Sequence, residues 1–245
     1  METAPPLYYD HVRTEVLNLF TSAPQRLLDV GCGSGATSAA AKARWPALET
    51  IGVEVVAEAA ERAREVLDSV VEASAESLDF AASGIADVDA VILADVLEHM
   101  VDPWAFLTRL RGVLRADAIV VASIPNVANL WLLEELAVGR FTYESSGLLD
   151  ATHLRFFTRA SIGQMFERAG YRIERWERLI DGRVDRLTQR YFLGKPLPRR
   201  LSRVAGVVAG HRVVVRRTSE ELYHDLRTIQ FLVVARPERA RPSAS

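Results

Sequence analysis

The sequence predicts an α/β fold, a doubly wound and mostly parallel sheet of seven strands with helices on both faces. Strand-like and helix-like stretches alternate along most of the chain, which is typical of parallel sheets. The 245 residues suit a single α/β domain with modest appendages. A glycine cluster follows the first predicted strand, where sheets of this type bind their ligands.

Seven short apolar runs, bounded by glycine, proline or polar residues, are predicted as strands. They span residues 26–30, 50–54, 69–73, 88–94, 116–124, 171–177 and 228–235. Runs of this length that are rich in β-branched residues indicate strands buried within a sheet. Their spacing along the chain leaves room for a helix in most of the connections.

The main predicted helices lie between these strands. They cover residues 36–44, 55–67, 103–114 and 159–169. Asp102 is the expected N-cap of the third of these helices, and Pro103 lies in its first turn. Thr158 caps the last one and Gly170 ends it. A further amphipathic helix over residues 10–20 is expected to pack four apolar side chains on the sheet: Val12, Val16, Leu17 and Phe20.

The composition is that of an ordinary globular protein, with 49% hydrophobic and 25% charged residues. The 30 basic and 32 acidic side chains give a net charge of -2, which argues against a nucleic-acid partner because such proteins usually carry a basic domain. A single cysteine, Cys32, excludes an intrachain disulfide framework and indicates a reducing compartment. No secretory signal and no membrane-spanning apolar stretch is visible, so we expect a soluble cytoplasmic protein.

The glycine cluster admits two interpretations on its own. Gly31, Gly33 and Ala36 satisfy the loose G-x-G-x-x-G/A fingerprint of dinucleotide-binding folds, in which Glu54 would hold a ribose. Asp29 lies two residues before the first glycine, and the third glycine is Gly35. This D-x-G-x-G-x-G spacing separates the two interpretations.

The loop from Asp29 to Gly35 resembles motif I of the class I S-adenosylmethionine-dependent methyltransferases. Three further stretches resemble that family: VDAVILADVLEH at 88–99 with DPW at 102–104, ASIPN at 122–126, and LLDATHLRFFT at 148–158. The resemblance covers about residues 25–180 and implies S-adenosylmethionine as the cofactor. It is closest to the small-molecule methyltransferases of the family.

The resemblance also implies a set of cofactor-binding residues. Asp29 and Gly31 would contact the methionine part through water and backbone, and the Glu54 carboxylate would accept the two ribose hydroxyls. Ser74 stands where many relatives carry an acidic residue at the adenine amino group. The full set is Asp29, Gly31, Cys32, Gly33, Gly35, Glu54, Ser74, Ala94 and Asp95.

Methyl transfer needs alignment of acceptor and cofactor, and a base only where the acceptor must lose a proton. His153, His99 and Asp95 are the candidates for this catalytic role. The alternative for His153 is a structural role in orienting its loop, and for Glu98 with His99 a structural pair that bonds nearby backbone is the favoured interpretation. Asp95 is followed by no second carboxylate at a recognisable ligand spacing, so no obligatory metal is expected.

Two segments interrupt the alternation of strands and helices. Residues 126–157 are expected to form a lid and the acceptor site, and residues 182–227 a basic appendage, because such insertions lie over the ligand-binding edge. The methyltransferase domain spans 25–236. An N-terminal cover helix at 1–24 precedes it, and a disordered tail at 237–245 follows.

The expected acceptor is a small molecule that is methylated at a hydroxyl, such as a sugar or a secondary metabolite. The basic residues between Arg183 and Arg217 would suit an anionic or sugar-containing acceptor, although a solvated appendage is the favoured interpretation of this stretch. A protein or nucleic-acid acceptor is the alternative, although Ala94 to Leu97 lacks the motif of base-methylating enzymes. A non-catalytic partner subunit is the other alternative. The oligomeric state stays open.

Overall fold

The computed structural model describes residues 10–182, 184, 204–208, 211–215 and 219–238. Seven strands form one sheet in the order β3-β2-β1-β4-β5-β9-β6. The strands are β1 Arg26–Val30, β2 Glu49–Glu54, β3 Ser69–Glu72, β4 Val88–Ala94, β5 Leu114–Pro125, β6 Tyr171–Ile180 and β9 Thr228–Pro237. A separate pair, β7 Val204–Val208 and β8 His211–Val215, forms a two-stranded antiparallel sheet.

The large sheet is parallel except at one end. Strands β1 to β5 pair in parallel, whereas β9 runs antiparallel between β5 and β6. Leu28 in β1 lies opposite both Ile51 in β2 and Val91 in β4, so the central strands share one register. The predicted doubly wound, mostly parallel seven-stranded fold is confirmed.

Helices cover both faces of the sheet. They are α1 Thr14–Leu17, α2 Ala36–Arg44, α3 Ala57–Arg64, α4 Pro103–Leu110, α5 Leu130–Ala137, α6 Arg159–Arg168 and α7 Ser219–Arg227. The Asp102 side chain accepts from Ala105 at the start of α4, and Thr158 forms a capping box with Ser161 at the start of α6. Both predicted caps are therefore present.

Strand β4 shows why the sheet needs helices on both sides. Its side chains alternate between two apolar cores, because successive residues of a strand point to opposite faces. Val91 and Leu93 pack in the core that contains Phe106 of α4. Ala90 and Ile92 pack in the opposite core. All four of these β4 side chains are at most 1% exposed.

The N-terminal segment differs from the predicted helix over residues 10–20. Only one turn, α1, is helical, and Val12 is exposed whereas Val16, Leu17 and Phe20 are buried. The backbone N–H of Arg13 donates to the Thr37 hydroxyl at 3.1 Å, so the chain is held in a non-helical conformation just before α1. Residues 1–9 lie outside the described part of the chain.

The C-terminal strand is longer than predicted. Pairing with β5 and β6 continues through Ala235, which is fully buried, to Pro237 opposite Tyr171. The expected strand end at Ala235 is therefore two residues early. Residues 239–245, which form most of the expected tail, lie outside the described residues.

The two predicted insertions are attached to the sheet differently. The Asn126 amide group donates to the carbonyls of Asp225 and Thr228 at 2.8 and 2.9 Å, which fastens the end of β5 to the start of β9. The Asp181 N–H donates to the Arg227 carbonyl at 2.9 Å and closes the base of the second insertion. The side chains of the basic residues from Arg183 to Arg217 lie outside the described set.

In the described ranges, none of the helices combines the length and apolar character needed to cross a bilayer.

Gly52 gives a packing prediction. A Cβ at this position of β2 would lie 2.6 Å from the Cys32 sulfur and 2.9 Å from Leu67 Cδ1. Gly52→Ala is therefore expected to destabilise the protein by about 1–3 kcal/mol through overpacking, measured by urea unfolding. The penalty should shrink in a Cys32→Ala background. Gly112→Ala is the matched control, because a Cβ there meets nothing within 4 Å. Equal effects at Gly52 and Gly112 would contradict this account.

Candidate active site

The candidate site lies at the carboxyl edge of the central strands. Because β1, β2, β4 and β5 are parallel, the segments that follow them meet at one edge of the sheet. The glycine loop follows β1, Glu54 ends β2, Asp95 follows β4 and Asn126 follows β5. The fold thus gathers most of the residues that the sequence nominates for cofactor binding and catalysis.

The glycine loop is anchored through its backbone. The amides of Gly31 and Cys32 both donate to the Val53 carbonyl, at 2.7 and 3.2 Å. Gly35 is the N-cap of α2 with a φ of 81°, a conformation that glycine adopts without the penalty of a Cβ. A Cβ at Gly35 would lie 2.9 Å from Val66 Cγ2. The loop therefore needs glycine here for both its backbone conformation and its space.

Glu54 holds the loop and the start of the next segment together. Its Oε2 accepts from the Gly33 amide at 2.8 Å, and its Oε1 accepts from the Val55 and Val56 amides at 2.9 Å each. A carboxylate offers about four acceptor positions, so Oε2 keeps room for one more donor. This buried carboxylate beside exposed loop backbone fits the ribose-binding role that the family resemblance implies.

Asp29 lies beneath the glycine loop and is almost fully buried. Its Oδ2 accepts from the Ser38 hydroxyl of α2 at 2.6 Å. Burial raises the pKa of Asp29 to about 7; the Ser38 bond opposes this shift and the nearby Glu54 charge adds to it. The side chain thus joins β1 to α2.

Three other predicted cofactor residues occupy different environments. The Cys32 side chain packs with Ala63 and Leu67, and burial raises the pKa of its thiol, so only its backbone is available to a ligand. Ser74 is exposed in the turn after β3, where its carbonyl accepts from Ser77. Ala94 is half-buried at the end of β4.

Asp95 is bound by a residue that the sequence analysis did not identify. The Arg13 guanidinium forms an ion pair with Asp95, and it also donates to the Ser123 hydroxyl at 3.0 Å. Gln230 of β9 donates to Asp95 Oδ1 at 2.6 Å. Asp95 has a φ of 55°, an unusual conformation for a non-glycine residue. Arg13 thereby ties the N-terminal segment to the ends of three strands.

His99 and His153 come together at this edge, although they belong to separate segments. Their ring centroids are 4.7 Å apart in an edge-to-face arrangement. His99 Nδ1 lies 3.2 Å from the Thr152 carbonyl and 3.1 Å from its hydroxyl. Burial, and then the neighbouring His99, lowers the pKa of His153. His153 is 8% exposed and is therefore a neutral imidazole near pH 7.

Glu98 completes this cluster. The sequence analysis predicted only a structural role for it, as a neighbour of His99 that bonds nearby backbone. Its carbonyl accepts from the Leu154 and Arg155 amides at 2.8 and 2.9 Å, so it pins the loop that carries His153. Its carboxyl group is 1% exposed, and neither oxygen has a hydrogen-bond partner among the described residues. Burial and the Asp95 charge raise the pKa of Glu98 well above its ordinary range.

Aromatic side chains border the cluster on the 126–157 segment. Phe156 is 41% exposed and lies 6.5 Å from His153 between ring centroids, whereas Phe157 is buried in the core. Phe141 packs edge-on against both Phe156 and the 59% exposed Tyr143. We call Phe141, Tyr143 and Phe156 the aromatic wall. Arg155 donates to the Val101 carbonyl at 3.0 Å.

Comparison with known proteins relates the chain to methyltransferases. A family model described as a methyltransferase domain matches residues 8–175. A ubiquinone biosynthesis O-methyltransferase of Cereibacter sphaeroides is 33% identical over 109 residues, which are 41% of this chain and 41% of that protein. A protein of the same name from a Ruegeria species is 29% identical over 137 residues, 49% of this chain and 53% of that protein. The chain thus spans about half or less of these curated relatives.

Among solved structures, a SAM-dependent methyltransferase from Archaeoglobus fulgidus shares the fold. It superimposes with a TM-score of 0.58 at 15% identity, over 91% of this chain and 90% of that chain.

Asp29 gives a prediction on pH dependence. Because its native pKa lies above the unfolded value, its contribution to stability is full below about pH 4 and is lost as pH rises through about 7. Asp29→Asn removes the titrating group. The free energy of unfolding of the variant should therefore rise relative to that of wild type between about pH 4 and about pH 7, by at most about 1.4 kcal/mol per pH unit. Unfolding titrations from pH 4 to 8 measure the difference.

Asp68→Asn is the control of opposite sign for this titration. Its side-chain bond with Lys42 is the main cause that lowers the pKa of Asp68 to about 2. Relative to wild type, this variant should lose stability as pH rises from about 2 to about 4 and keep a constant deficit above pH 4, so its unfolding titration begins at about pH 2. A difference between Asp29→Asn and wild type that does not change with pH would contradict the assigned shift.

Proposed function

Because this chain belongs to the class I S-adenosylmethionine-dependent methyltransferase family, we propose that it transfers a methyl group from that cofactor to a hydroxyl of a small molecule. The carrying observation is that the glycine loop and Glu54 lie at the ends of β1 and β2, and that His153 packs against His99 in the turn after β4, at the same edge of the sheet. The expected acceptor is a sugar or another secondary metabolite. The single cysteine supports a cytoplasmic location.

The cofactor half of the site is built from the glycine loop and Glu54. The cofactor, when bound, supplies a methyl group on a positively charged sulfur. Glu54 would accept ribose hydroxyl hydrogen bonds at Oε2, and the loop backbone would lie along the methionine part. Arg13, held 3.0 Å from Ser123, places a positive charge at the same edge. Its guanidinium is already paired with the carboxylates of Asp95 and Glu15, so Arg13 shapes this edge through those side chains.

The acceptor half of the site must remove a proton and exclude water. The acceptor oxygen forms a bond to the methyl carbon as the carbon–sulfur bond breaks, sulfur keeps the electron pair, and the hydroxyl proton leaves the acceptor. His153 lies in the loop beside the end of β4, and its neutral imidazole is the group proposed to accept that proton. Alignment of acceptor and methyl group supplies the larger part of the rate.

The aromatic wall supports an acceptor with a flat apolar face. Its three residues are 41–59% exposed and one of them, Phe156, lies beside His153, so a ring placed there would cover apolar surface near the proton-accepting group. Aromatic metabolites offer such a face, and so does the C–H face of a sugar ring. The matched relatives are named as O-methyltransferases, which favours oxygen as the methylated atom.

Cofactor binding tests the first half of this proposal. Titration calorimetry should detect binding of S-adenosylmethionine and of S-adenosylhomocysteine, with NAD as the negative control. Glu54→Ala should lower the affinity for both adenosyl ligands about tenfold or more, because it removes a hydrogen-bond acceptor and leaves the Gly33 amide without its partner. Glu72→Ala, which changes an exposed acid at the end of β3, is the matched control and should bind as wild type. Tight binding of NAD without either adenosyl ligand would overturn the proposal.

His153→Ala tests the second half. It should lower turnover by about 10²–10⁴-fold while S-adenosylmethionine affinity stays near that of wild type, because the imidazole acts on the acceptor. The exposed His11 provides the control variant His11→Ala, which should leave turnover unchanged. Turnover is followed as S-adenosylhomocysteine formed from a screened panel of hydroxyl acceptors. Equal losses of turnover and cofactor affinity would indicate a structural role for His153.

A further inference from the structure

We infer that Ser38 is a positioning residue of the proposed cofactor site, because its buried hydroxyl orients the Asp29 carboxylate beneath the glycine loop. Ser38 is the third residue of α2, the helix that follows this loop. The sequence analysis did not identify it, since it lies outside the D-x-G-x-G-x-G motif. The inference rests on the proposed function, because it concerns the binding of S-adenosylmethionine.

Ser38 is a polar side chain at a fully buried position. Four of the six residues from 36 to 41 are alanine, the best helix former, so alanine would suit this position of α2 at least as well. A buried hydroxyl that lacks a hydrogen-bond partner is costly. The partner of Ser38 is Asp29 Oδ2, at 2.6 Å. This bond is therefore what a serine contributes at position 38 and an alanine would not.

The bond fixes the orientation of the Asp29 carboxylate. The backbone of Asp29 is held in the centre of the sheet, opposite Gly52 of β2 and Ile92 of β4, so its side chain is the part that remains to be placed. A distance of 2.6 Å is typical of a hydroxyl that donates to a charged carboxylate. Because Asp29 lies just before the glycine loop and Ser38 just after it, the bond joins the two ends of the loop. Ser38 thereby sets where the negative charge lies relative to the loop backbone.

Ser38 also favours the charged form of Asp29. Burial raises the pKa of Asp29 to about 7, and the Glu54 charge adds to this shift, whereas the Ser38 hydroxyl opposes it. Burial raises the pKa of the neighbouring Cys32 thiol, which therefore stays uncharged near pH 7. The cations on adjacent elements bond other groups: Arg13 bonds Asp95, Lys42 bonds Asp68, and Arg44 bonds the Leu17 carbonyl.

The charge on Asp29 matters for a cationic ligand. S-adenosylmethionine carries a sulfonium and an ammonium group in its methionine part. Opposite charges attract more strongly in buried surroundings than in water, so the charged form of Asp29 should bind the cofactor more tightly than the neutral form. Affinity should therefore rise as pH rises through about 7. Without the Ser38 bond the pKa of Asp29 is higher, and this rise in affinity begins at a higher pH.

Titration calorimetry of the full chain with S-adenosylmethionine, from about pH 6 to about pH 9, tests this role. Ser38→Ala should bind about three- to tenfold more weakly than wild type at pH 7 and within about twofold of wild type at pH 9. The amino group of the cofactor titrates at about pH 8 in every sample, so the ratio of the two affinities cancels its effect. Thr108→Ala removes a hydroxyl of α4 that bonds the Trp104 carbonyl, and this matched control should bind as wild type does at each pH.

A double variant isolates the Ser38–Asp29 pair. In an Asp29→Asn background no carboxylate is left to titrate at this position, so Ser38→Ala should change the affinity by the same factor at pH 7 and at pH 9. Circular dichroism at each pH checks that the variants fold. Ser38→Cys keeps the side-chain volume but donates only weakly, so it should show the same pH-dependent loss and decides the test if Ser38→Ala does not fold.

Two results would overturn the inference: a Ser38→Ala affinity equal to that of wild type at pH 7, or a loss of the same size at pH 7 and at pH 9. The second result would indicate a purely structural role for Ser38. Wild type that binds neither S-adenosylmethionine nor S-adenosylhomocysteine would overturn the proposed function together with this inference. Wild type that binds both ligands while Ser38→Ala matches it removes only the role of Ser38.

Discussion

The shared register of the central parallel strands is the constraint on which the site depends. Leu28 lies opposite both Ile51 and Val91, so β1, β2 and β4 end at the same height. The alternating burial of β4 in two cores fixes that register, because a slip by one residue would exchange the two faces. The polar segments that follow these strands are short, and they meet only because the strands are aligned.

Four acidic side chains near that edge differ in the hydrogen-bond donors that satisfy them. Asp29 has one hydroxyl donor, Glu54 has three backbone amides, and Asp95 has a guanidinium and an amide. Glu98 has no such donor among the described residues. The first three side chains are satisfied by donors of the protein itself. The fourth is buried without such a donor, and burial together with the nearby Asp95 charge raises the pKa of Glu98, which favours its uncharged form.

Much of the fold is predictable from local sequence, and the errors have physical causes. Strands 26–30 and 88–94 were predicted to the residue, because apolar runs between turn residues have few other conformations. The helix predicted over 10–20 is wrong outside α1, since Thr37 binds the Arg13 amide and periodicity does not reveal such a contact. Strand β9 continues past Ala235 because β6 pairs with it, which depends on tertiary structure.

The site was only partly predictable for the same reason. The D-x-G-x-G-x-G spacing locates the cofactor loop because its glycines serve local backbone geometry. Arg13 reaches Asp95 across 82 residues, and no local pattern signals that contact. Glu98 and His99 were recognised as a pair, but His153 lies beside them because the Glu98 carbonyl accepts from the two residues that follow His153, a contact that no local pattern signals.

The closed base of the second insertion has a consequence for how such proteins diversify. Asp181 and Arg227 are joined by a backbone hydrogen bond of 2.9 Å, so the two ends of the segment between them lie side by side. The entropy of closing a loop rises only slowly with its length. Insertions or deletions between these two ends should therefore change the cost of closing the loop only slightly, and the strands on either side can keep their pairing.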